Sequence, residues 1–396
     1  MIVANNGLGL NMNMIHTTSA PQLRPFHCLD FSVKKSNSLS FVLACWTSNS
    51  ASPSKNKNSK NPKSFCCLCS NSNNSDTNNN NNNNSSCLGW DWNRGTRHFS
   101  EIEQAESYAS VLKPQPHMRR HSKLMEFPHL SASHKELMAG IISALETRLQ
   151  SELLPSSVVP PDVEYYQNET GLSQGTLHIR RGLQSSHIDF MLASWLHLQQ
   201  PNGGGAMNVT NLQVYLKPSI NVPHFQLELV QCTPSYMIFF VDLTPRKDLV
   251  LNPDYLKTFY EETQLDVYRQ KLDQVPEIKP YFSSSLYFRG VVSPTGILVS
   301  IKCEDGDGGK DRCEEIIREN VSPIAYEVMR IWMDKYLYFV GERMSVSEIE
   351  RGEMEKRDGL IKRRAIEMDL SLMMPKQFGD EVGNRVLGFI KDVFNV

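Results

Sequence analysis

One acidic residue lies within a segment that the sequence predicts to be a buried β-strand. In FQLELVQ (225–231), Phe225, Leu227 and Leu229 alternate along the chain and share one face of the strand, whereas Glu228 falls on the other face. The next segment, YMIFFVDL (236–243), is apolar on both faces. A carboxyl group in such surroundings faces either water or a substrate, and in the second case it could do acid–base chemistry.

The sequence lacks the common motifs that bind nucleotides or catalytic zinc. Neither G-x-x-x-x-G-K-[ST] nor G-x-G-x-x-G is present, and residues 91–396 contain no H-E-x-x-H and no C-x-x-C. An enzyme with this sequence must therefore obtain reducing power from outside or perform acid–base chemistry alone.

Residues 1–90 differ in composition from the rest of the chain. They hold seven of the 41 Lys and Arg residues but only two of the 43 Asp and Glu residues, and they are rich in Ser and Asn. A basic, acid-poor and hydroxyl-rich N-terminus is typical of an organelle transit peptide. We expect a transit and low-complexity leader over 1–90, a linker over 91–124 and a single domain over 125–396.

The remainder, 91–396, carries a formal charge of about −7, which argues against a nucleic-acid partner. No window approaches the ~20 apolar residues of a transmembrane helix. Its three scattered cysteines, Cys232, Cys303 and Cys313, predict free thiols in a reducing compartment.

Periodic patterns predict the elements that must position any site. A capping box at Ser133–Glu136 and leucines and isoleucines at i+4 spacing predict a helix that ends before Pro155. Strand-like segments follow at 176–180, 187–198, 209–216, 225–231 and 236–243. Short loops between them favour antiparallel pairing. Asn252 and Pro253 begin a second helix that runs to about Leu272.

Two further strands are predicted at SLYFRGVV (285–292) and GILVSIK (296–302), followed by a solvated hairpin or loop at 304–311. Three helices are then predicted, from Ser322 to about Tyr338, from a Ser345–Glu348 cap to Arg364, and from about Asp380 to Phe394. This order predicts an α+β fold in which an antiparallel β-sheet is sandwiched between α-helical layers (an α/β/α sandwich).

Several segments of the body resemble the red chlorophyll catabolite reductases, plant plastid enzymes of chlorophyll breakdown. The resemblance runs from Met125 to near the C-terminus and is strongest in RKDLVLNPDYLK (246–257). It also includes MEFPHLS (125–131), LHIR (177–180), KPYFSSSL (279–286), VSPTG (292–296) and RRAIEMDLSL (363–372).

The resemblance implies a bilin-reductase-like fold and the ferredoxin-dependent reduction of red chlorophyll catabolite, an opened tetrapyrrole, at one methine bridge. The product would be primary fluorescent chlorophyll catabolite. Reduced ferredoxin would supply single electrons, with no cofactor or metal bound in the enzyme. The family further implies a location in the chloroplast stroma near thylakoid-bound partners, a homodimer, and pheophorbide a oxygenase as a partner.

The resemblance also assigns substrate-contacting carboxyl groups to Glu228 and Asp369. Each electron must be accompanied by a proton, and burial beside an apolar macrocycle raises the pKa of a carboxyl group. We expect the pair to bind the polar edge of the substrate and to position or donate protons. The alternative is that Glu228 is a solvent-facing strand residue and Asp369 a helix-end residue.

Four more residues match positions that line the pocket in this family. Tyr281 and Phe282 could pack on pyrrole rings, Ser283 could hydrogen-bond a carbonyl, and Val292 matches a position tied to which face of the pigment is reduced. The alternative makes the two aromatic residues core at a strand entrance and Val292 a buried strand valine.

Two basic clusters, Arg246-Lys247 and Lys362-Arg363-Arg364, could dock an acidic ferredoxin, or could simply be solvated. Two other functions remain open: a bilin reductase that acts on a haem-derived bilin, and a non-catalytic protein that sequesters a phototoxic tetrapyrrole.

Overall fold

The computed structural model describes residues 123–199, 205–342 and 346–396. The predicted leader lies outside the described residues, as does the predicted linker except for its last two residues.

One antiparallel sheet of eight strands forms the centre of the described structure. The strands are β1 (Tyr165–Gln167), β2 (Gln174–Arg181), β3 (Ile188–Gln199), β4 (Ala206–Leu216), β5 (His224–Thr233), β6 (Tyr236–Thr244), β7 (Ile278–Pro280) and β8 (Ile297–Lys302). Their order across the sheet is β1-β2-β3-β4-β5-β6-β8-β7. The five strands predicted between 176 and 243 are all present, because their alternating patterns match the pleat.

The helices lie on both sides of this sheet. They are α1 (Ala132–Arg148), α2 (Pro161–Glu164), α3 (Pro253–Leu256), α4 (Asp266–Leu272), α5 (Leu286–Val291), α6 (Asp307–Ile316), α7 (Ser322–Glu342), α8 (Glu348–Ala365), α9 (Ser371–Phe378) and α10 (Asp380–Phe394). A 3₁₀ turn spans Lys123–Glu126, and π-helical turns span Lys257–Glu261, Ile317–Val321 and Ile366–Leu370.

The alternation of side chains gives the sheet two apolar faces. Phe225, Leu227 and Leu229 of β5 point to one face of the sheet, which we call the first face. They lie in a core that also contains residues of α1 and α7. Val230 of β5 lies in a second core with residues of α9 and α10, on what we call the second face. The predicted antiparallel sheet between helical layers is confirmed.

The predicted capping box of α1 was wrong. The N-cap is Ser131, and Ser133 lies inside the helix, where its backbone N–H donates to Glu314 Oε2 at 2.8 Å. The tertiary contact thus takes the place of the local cap. The apolar stripe that contains Leu137 and Ile141 is fully buried, as predicted.

Two segments predicted to be extended or irregular are helical. SLYFRGVV was predicted as a strand from its aromatic and β-branched residues, but the Ser285 hydroxyl caps α5 by accepting a hydrogen bond from the N–H of Phe288 at 3.1 Å. The predicted loop at 304–311 contains the start of α6. Further along, Ser347 rather than Ser345 caps α8, in a capping box with Glu350.

Candidate functional site

The second face of the sheet is incompletely covered near its middle. Five polar side chains on central strands point to this face and are only half-buried: Ser194 of β3, Asn211 and Gln213 of β4, and Gln226 and Glu228 of β5. Side chains on central strands become fully buried when helices pack directly above them. We therefore describe this part of the second face as an open cleft with a polar floor.

Glu228 lies in the middle of this floor. The register aligns it with Asn211 on one neighbouring strand and with Phe240 on the other. Asn211 Nδ2 donates to Glu228 Oε2 at 3.1 Å, while Oε1 is buried and has no hydrogen-bond partner among the described residues. Burial raises the pKa of Glu228 to about 7, although the Asn211 hydrogen bond acts in the opposite direction.

Asp369 belongs to the π-helical turn Ile366–Leu370, which joins α8 to α9. Ile366 and Leu370 of this turn pack on the second core, and Asp369 lies between them in sequence. Single π-turns within helices occur frequently at functional sites. Burial raises the pKa of Asp369 to about 8, and the negative charge of Glu228 adds to this rise.

The fold thus brings Glu228 and Asp369 close enough for their charges to interact, although they are far apart in sequence. Asp369 Oδ1, like Glu228 Oε1, is buried without a hydrogen-bond partner in the described part of the chain. Two carboxyl groups with pKa values of about 7 and 8 retain protons near neutral pH. Such a pair can act as general acids, which ordinary carboxyl groups at this pH cannot.

Apolar side chains surround the polar floor. Those partly buried against the second core include Tyr281, Phe288, Val292, Leu298 and Leu370. The Phe288 ring lies 5.3 Å from that of Phe240, the strand neighbour of Glu228, so α5 lies beside the carboxyl pair. A polar floor with an apolar border suits a flat ligand that has both polar groups and aromatic rings.

The four predicted pocket residues differ from one another in how far they are buried. Tyr281 packs on the second core, with its backbone N–H donating to Leu298 O at 3.0 Å. Phe282 is 78% exposed, whereas Ser283 is buried and its hydroxyl accepts a hydrogen bond from the N–H of Ser285 at 3.2 Å. Val292 lies at the C-terminal end of α5 and not in a strand, so its predicted strand context was wrong.

Comparison with known proteins settles the family. The model of the red chlorophyll catabolite reductase (RCC reductase) family matches residues 133–392. The chain belongs to the red chlorophyll catabolite reductase family. The resemblance found in the sequence is confirmed.

Named members of this reductase family cover most of the chain. The chloroplastic red chlorophyll catabolite reductase of Arabidopsis thaliana is 41% identical over 304 residues, which are 77% of this chain and 93% of that protein. The chloroplastic red chlorophyll catabolite reductase 1 of Oryza sativa subsp. japonica is 40% identical over 269 residues, covering 67% of this chain and 79% of that protein. A crystal structure of phytochromobilin synthase from tomato in complex with biliverdin aligns with a TM-score of 0.45 and 14% identity over 64% of this chain and 81% of that one.

Two features near the carboxyl pair were not predicted. Asn211 lies on the same face of the sheet as Glu228. The alternation of polar and apolar residues in VTNLQVYL puts Asn211 and Leu212 on opposite faces and could have identified Asn211. Asp242 of β6 is fully buried, and it accepts hydrogen bonds from the Ser293 hydroxyl at 2.5 Å and the Ser293 N–H at 3.0 Å. Burial raises the pKa of Asp242 to about 6.

The contact between Asp242 and Ser293 holds the turn after α5 against the sheet. Gly296 allows this close approach, since a Cβ there would lie 2.5 Å from Val292 Cγ1 and 3.1 Å from Asp242 Oδ1. Asp242 and Gly296 therefore fix the position of Val292 at the border of the cleft.

The prediction that Arg246 could dock a partner was wrong. Its side chain is fully buried, where it donates to Asp358 Oδ2 at 2.6 and 3.1 Å and to two backbone carbonyls. His224 Nε2 lies 3.0 Å from the other oxygen of Asp358. The adjacent Lys247 forms a 2.6 Å ion pair with Glu350. This cluster ties β5, the segment after β6 and α8 together.

In the second basic cluster, Lys362 is also buried, with its Nζ 2.8 Å from Asp189 Oδ2 and 5.0 Å from the centres of two aromatic rings. Arg363 and Arg364 are exposed, and Arg364 lies 3.2 Å from Glu367. Of the five basic residues in the two predicted clusters, Arg363 and Arg364 are the two with exposed side chains.

GLSQG (171–175) has the G-x-S-x-G spacing of a nucleophile elbow, but Ser173 lies in the turn before β2 instead of between a strand and a helix. Its hydroxyl donates to Gln377 Oε1 at 3.2 Å and accepts from the N–H of Gln199 at 3.1 Å. The role of Ser173 is structural.

Within the described ranges, no group of three or more His, Cys, Asp or Glu side chains could hold a metal ion. No helix in the same ranges is long and apolar enough to span a membrane. Cys232, Cys303 and Cys313 are buried free thiols, as predicted.

Proposed function

We propose that this protein reduces red chlorophyll catabolite to primary fluorescent chlorophyll catabolite, with electrons from reduced ferredoxin. Family membership and the names of the relatives support this activity. The two relatives named as chloroplastic support action in the chloroplast, as the composition of the leader does; we place the protein in the stroma.

The observation that carries the proposal is the pairing of Glu228, on the floor of the cleft, with Asp369 of the turn after α8. Reduction of one methine bridge adds two electrons and two protons overall. Ferredoxin delivers electrons singly, and each added electron makes the pigment more basic. Because both carboxyl groups hold protons near neutral pH, each can donate one to the pigment at that stage.

The remainder of the cleft supports the binding of an opened tetrapyrrole. Its aromatic and aliphatic border can pack on the pyrrole rings, while the polar floor can bind the heteroatoms. Val292, which lies beside Gly296 where a Cβ would collide with it, sets the space on one side of the pigment. We therefore assign Val292 a role in choosing which face of the pigment is protonated.

For the electron donor, we propose a docking surface around the end of α8. Arg363 and Arg364 are exposed there, shortly before Asp369 in the chain. Tyr287 of α5 is partly exposed; burial raises the pKa of its phenol, and the nearby positive charge of Arg364 opposes this rise. An acidic ferredoxin would be attracted to such a surface, and its approach should weaken as the salt concentration rises. A homodimer and a complex with pheophorbide a oxygenase are further proposals from the family.

The test is an anaerobic assay with reduced ferredoxin and red chlorophyll catabolite, read by the appearance of fluorescent product. We expect product with the wild type and a loss of at least a hundredfold in kcat with Glu228→Gln or Asp369→Asn, the loss typical of a missing general acid. Glu169→Gln, which removes an exposed carboxylate from a loop, serves as the matched control.

Full turnover by both amide variants would contradict the assigned roles. Binding of the pigment without any reduction by the wild type would indicate a sequestering protein. Reduction of a haem-derived bilin in preference to the chlorophyll catabolite would indicate a bilin reductase.

A further inference from the structure

Three buried oxygen atoms at the second face of the sheet, two on the floor of the cleft and one on the turn that carries Asp369, have no hydrogen-bond partner among the described residues. They are Asn211 Oδ1, Glu228 Oε1 and Asp369 Oδ1. The amide nitrogen of Asn211 is occupied by Glu228 Oε2, so only its oxygen is left for a ligand. Leaving a buried polar atom unpaired is costly, so a ligand that supplies partners to all three gains from each.

The side chains that carry these atoms converge on one place. Asn211 and Glu228 face each other across neighbouring strands, and the turn that carries Asp369 packs on the same face of the sheet through Ile366 and Leu370. An amide oxygen can only accept hydrogen bonds, and a carboxyl group keeps an accepting oxygen even when it is protonated. The complementary ligand therefore presents several N–H or O–H donors along one edge.

We propose that Asn211, Glu228 and Asp369 form an acceptor cluster that binds the inner N–H edge of a metal-free open-chain tetrapyrrole and disfavours its metal chelate. Asn211 is then a further substrate-binding residue. This inference rests on the proposed function, which supplies the class of ligand. It adds that the site selects a pigment whose inner nitrogens carry protons and no metal ion.

The selection follows from the chemistry of the pigment. A metal ion bound by the pyrrole nitrogens displaces N–H protons and uses the nitrogen lone pairs. A chelate whose metal ion takes no axial ligand therefore brings neither N–H donors nor a coordination site to the three oxygens, and all three would stay unpaired beneath it. A site that pairs with a ligand's N–H groups rejects an analogue without them more strongly than an apolar pocket can.

The experiment measures the affinity of the full-length protein for red chlorophyll catabolite without ferredoxin, by pigment absorbance and quenching of tryptophan fluorescence. It is repeated with the pigment converted to its square-planar nickel(II) chelate, whose metal ion has little affinity for axial oxygen ligands, and nickel ions added to the protein alone provide the blank. We expect the wild type to bind the chelate at least tenfold more weakly than the free pigment.

Asn211→Leu should weaken binding of the free pigment about tenfold. It should also reduce the ratio of the affinity for the free pigment to the affinity for the chelate. Asn208→Leu is the control, since it removes a buried amide from the same strand on the first face. If circular dichroism shows that Asn211→Leu does not fold, the affinities of the wild type for free pigment and chelate still test the inference.

Equal wild-type affinity for free pigment and chelate would overturn the inference, as would an Asn211→Leu variant that binds both as the wild type does. In either case the reduction assay could still succeed, so the proposed function would stand. Failure of the wild type both to bind and to reduce the free pigment would overturn both.

Discussion

Replacing Asp369 by Asn should stabilise the protein at alkaline pH even as it lowers turnover. Burial, together with the charge of Glu228, raises the pKa of Asp369 from 3.8 to about 8. Between these values the folded protein holds a proton that the unfolded chain has released. The free energy of unfolding of the wild type must therefore fall as the pH rises from about 4 to 8.

The size of the effect follows from the two pKa values. Each pH unit between them changes the free energy of unfolding by about 1.4 kcal/mol for one carboxyl group. From pH 5 to pH 8, Asp369 therefore lowers the stability of the wild type by on the order of 4 kcal/mol. The amide in Asp369→Asn does not titrate, so this part of the pH dependence should disappear.

The assay is urea unfolding of the wild type and Asp369→Asn at pH 5 and pH 8, followed by circular dichroism. Glu228 and Asp242 also lose protons in this range, but both are present in the two proteins, so to first order their contributions cancel in the comparison. We expect the variant to gain stability relative to the wild type on going from pH 5 to pH 8. An identical pH dependence in the two proteins would refute the reasoning, since Asp369 would then be ionised and hydrated.

Three further predictions follow from the same geometry. Glu228→Gln removes the negative charge beside Asp369, so the pKa of Asp369, read from the pH dependence of pigment binding, should fall; an unchanged pH dependence would show that the two groups do not interact. Val292→Phe should change the product epimer, as resolved by chiral chromatography, and an identical product would remove Val292 from stereochemical control. Asp358→Asn leaves the buried Arg246 without its counterion and should lower the free energy of unfolding by about 3–5 kcal/mol; a loss below 1 kcal/mol would mean that water reaches Arg246.

The sheet could be predicted because its pattern is local. Alternation in β5 separates Leu227 from Glu228 without reference to other strands, and the helical stripe of Leu137 and Ile141 is equally local. The strand predicted at 285–292 was wrong because apolar aromatic residues fit either an exposed helix or a strand. There the Ser285 cap and the anchoring of Ser293 by Asp242 decide in favour of the helix.

The site was less predictable than the fold. Nothing in IEMDLSL marks Asp369, since its pKa depends on burial by distant elements and on the charge of Glu228. Only the family resemblance pointed to it. Arg246 shows the opposite error, because a basic dipeptide looks solvated in sequence whereas Asp358, on the distant helix α8, pairs with it in the interior.

Infrared difference spectroscopy between pH 6 and pH 9 tests the central claim most directly, because protonated carboxyl groups have a carbonyl band separate from that of carboxylates. The account predicts that the wild type loses protonated carboxyl bands over this range and that Glu228→Gln and Asp369→Asn each remove one of them. If the bands are absent at pH 6, or are unchanged in both variants, the two side chains are ordinary carboxylates and cannot serve as the proton donors.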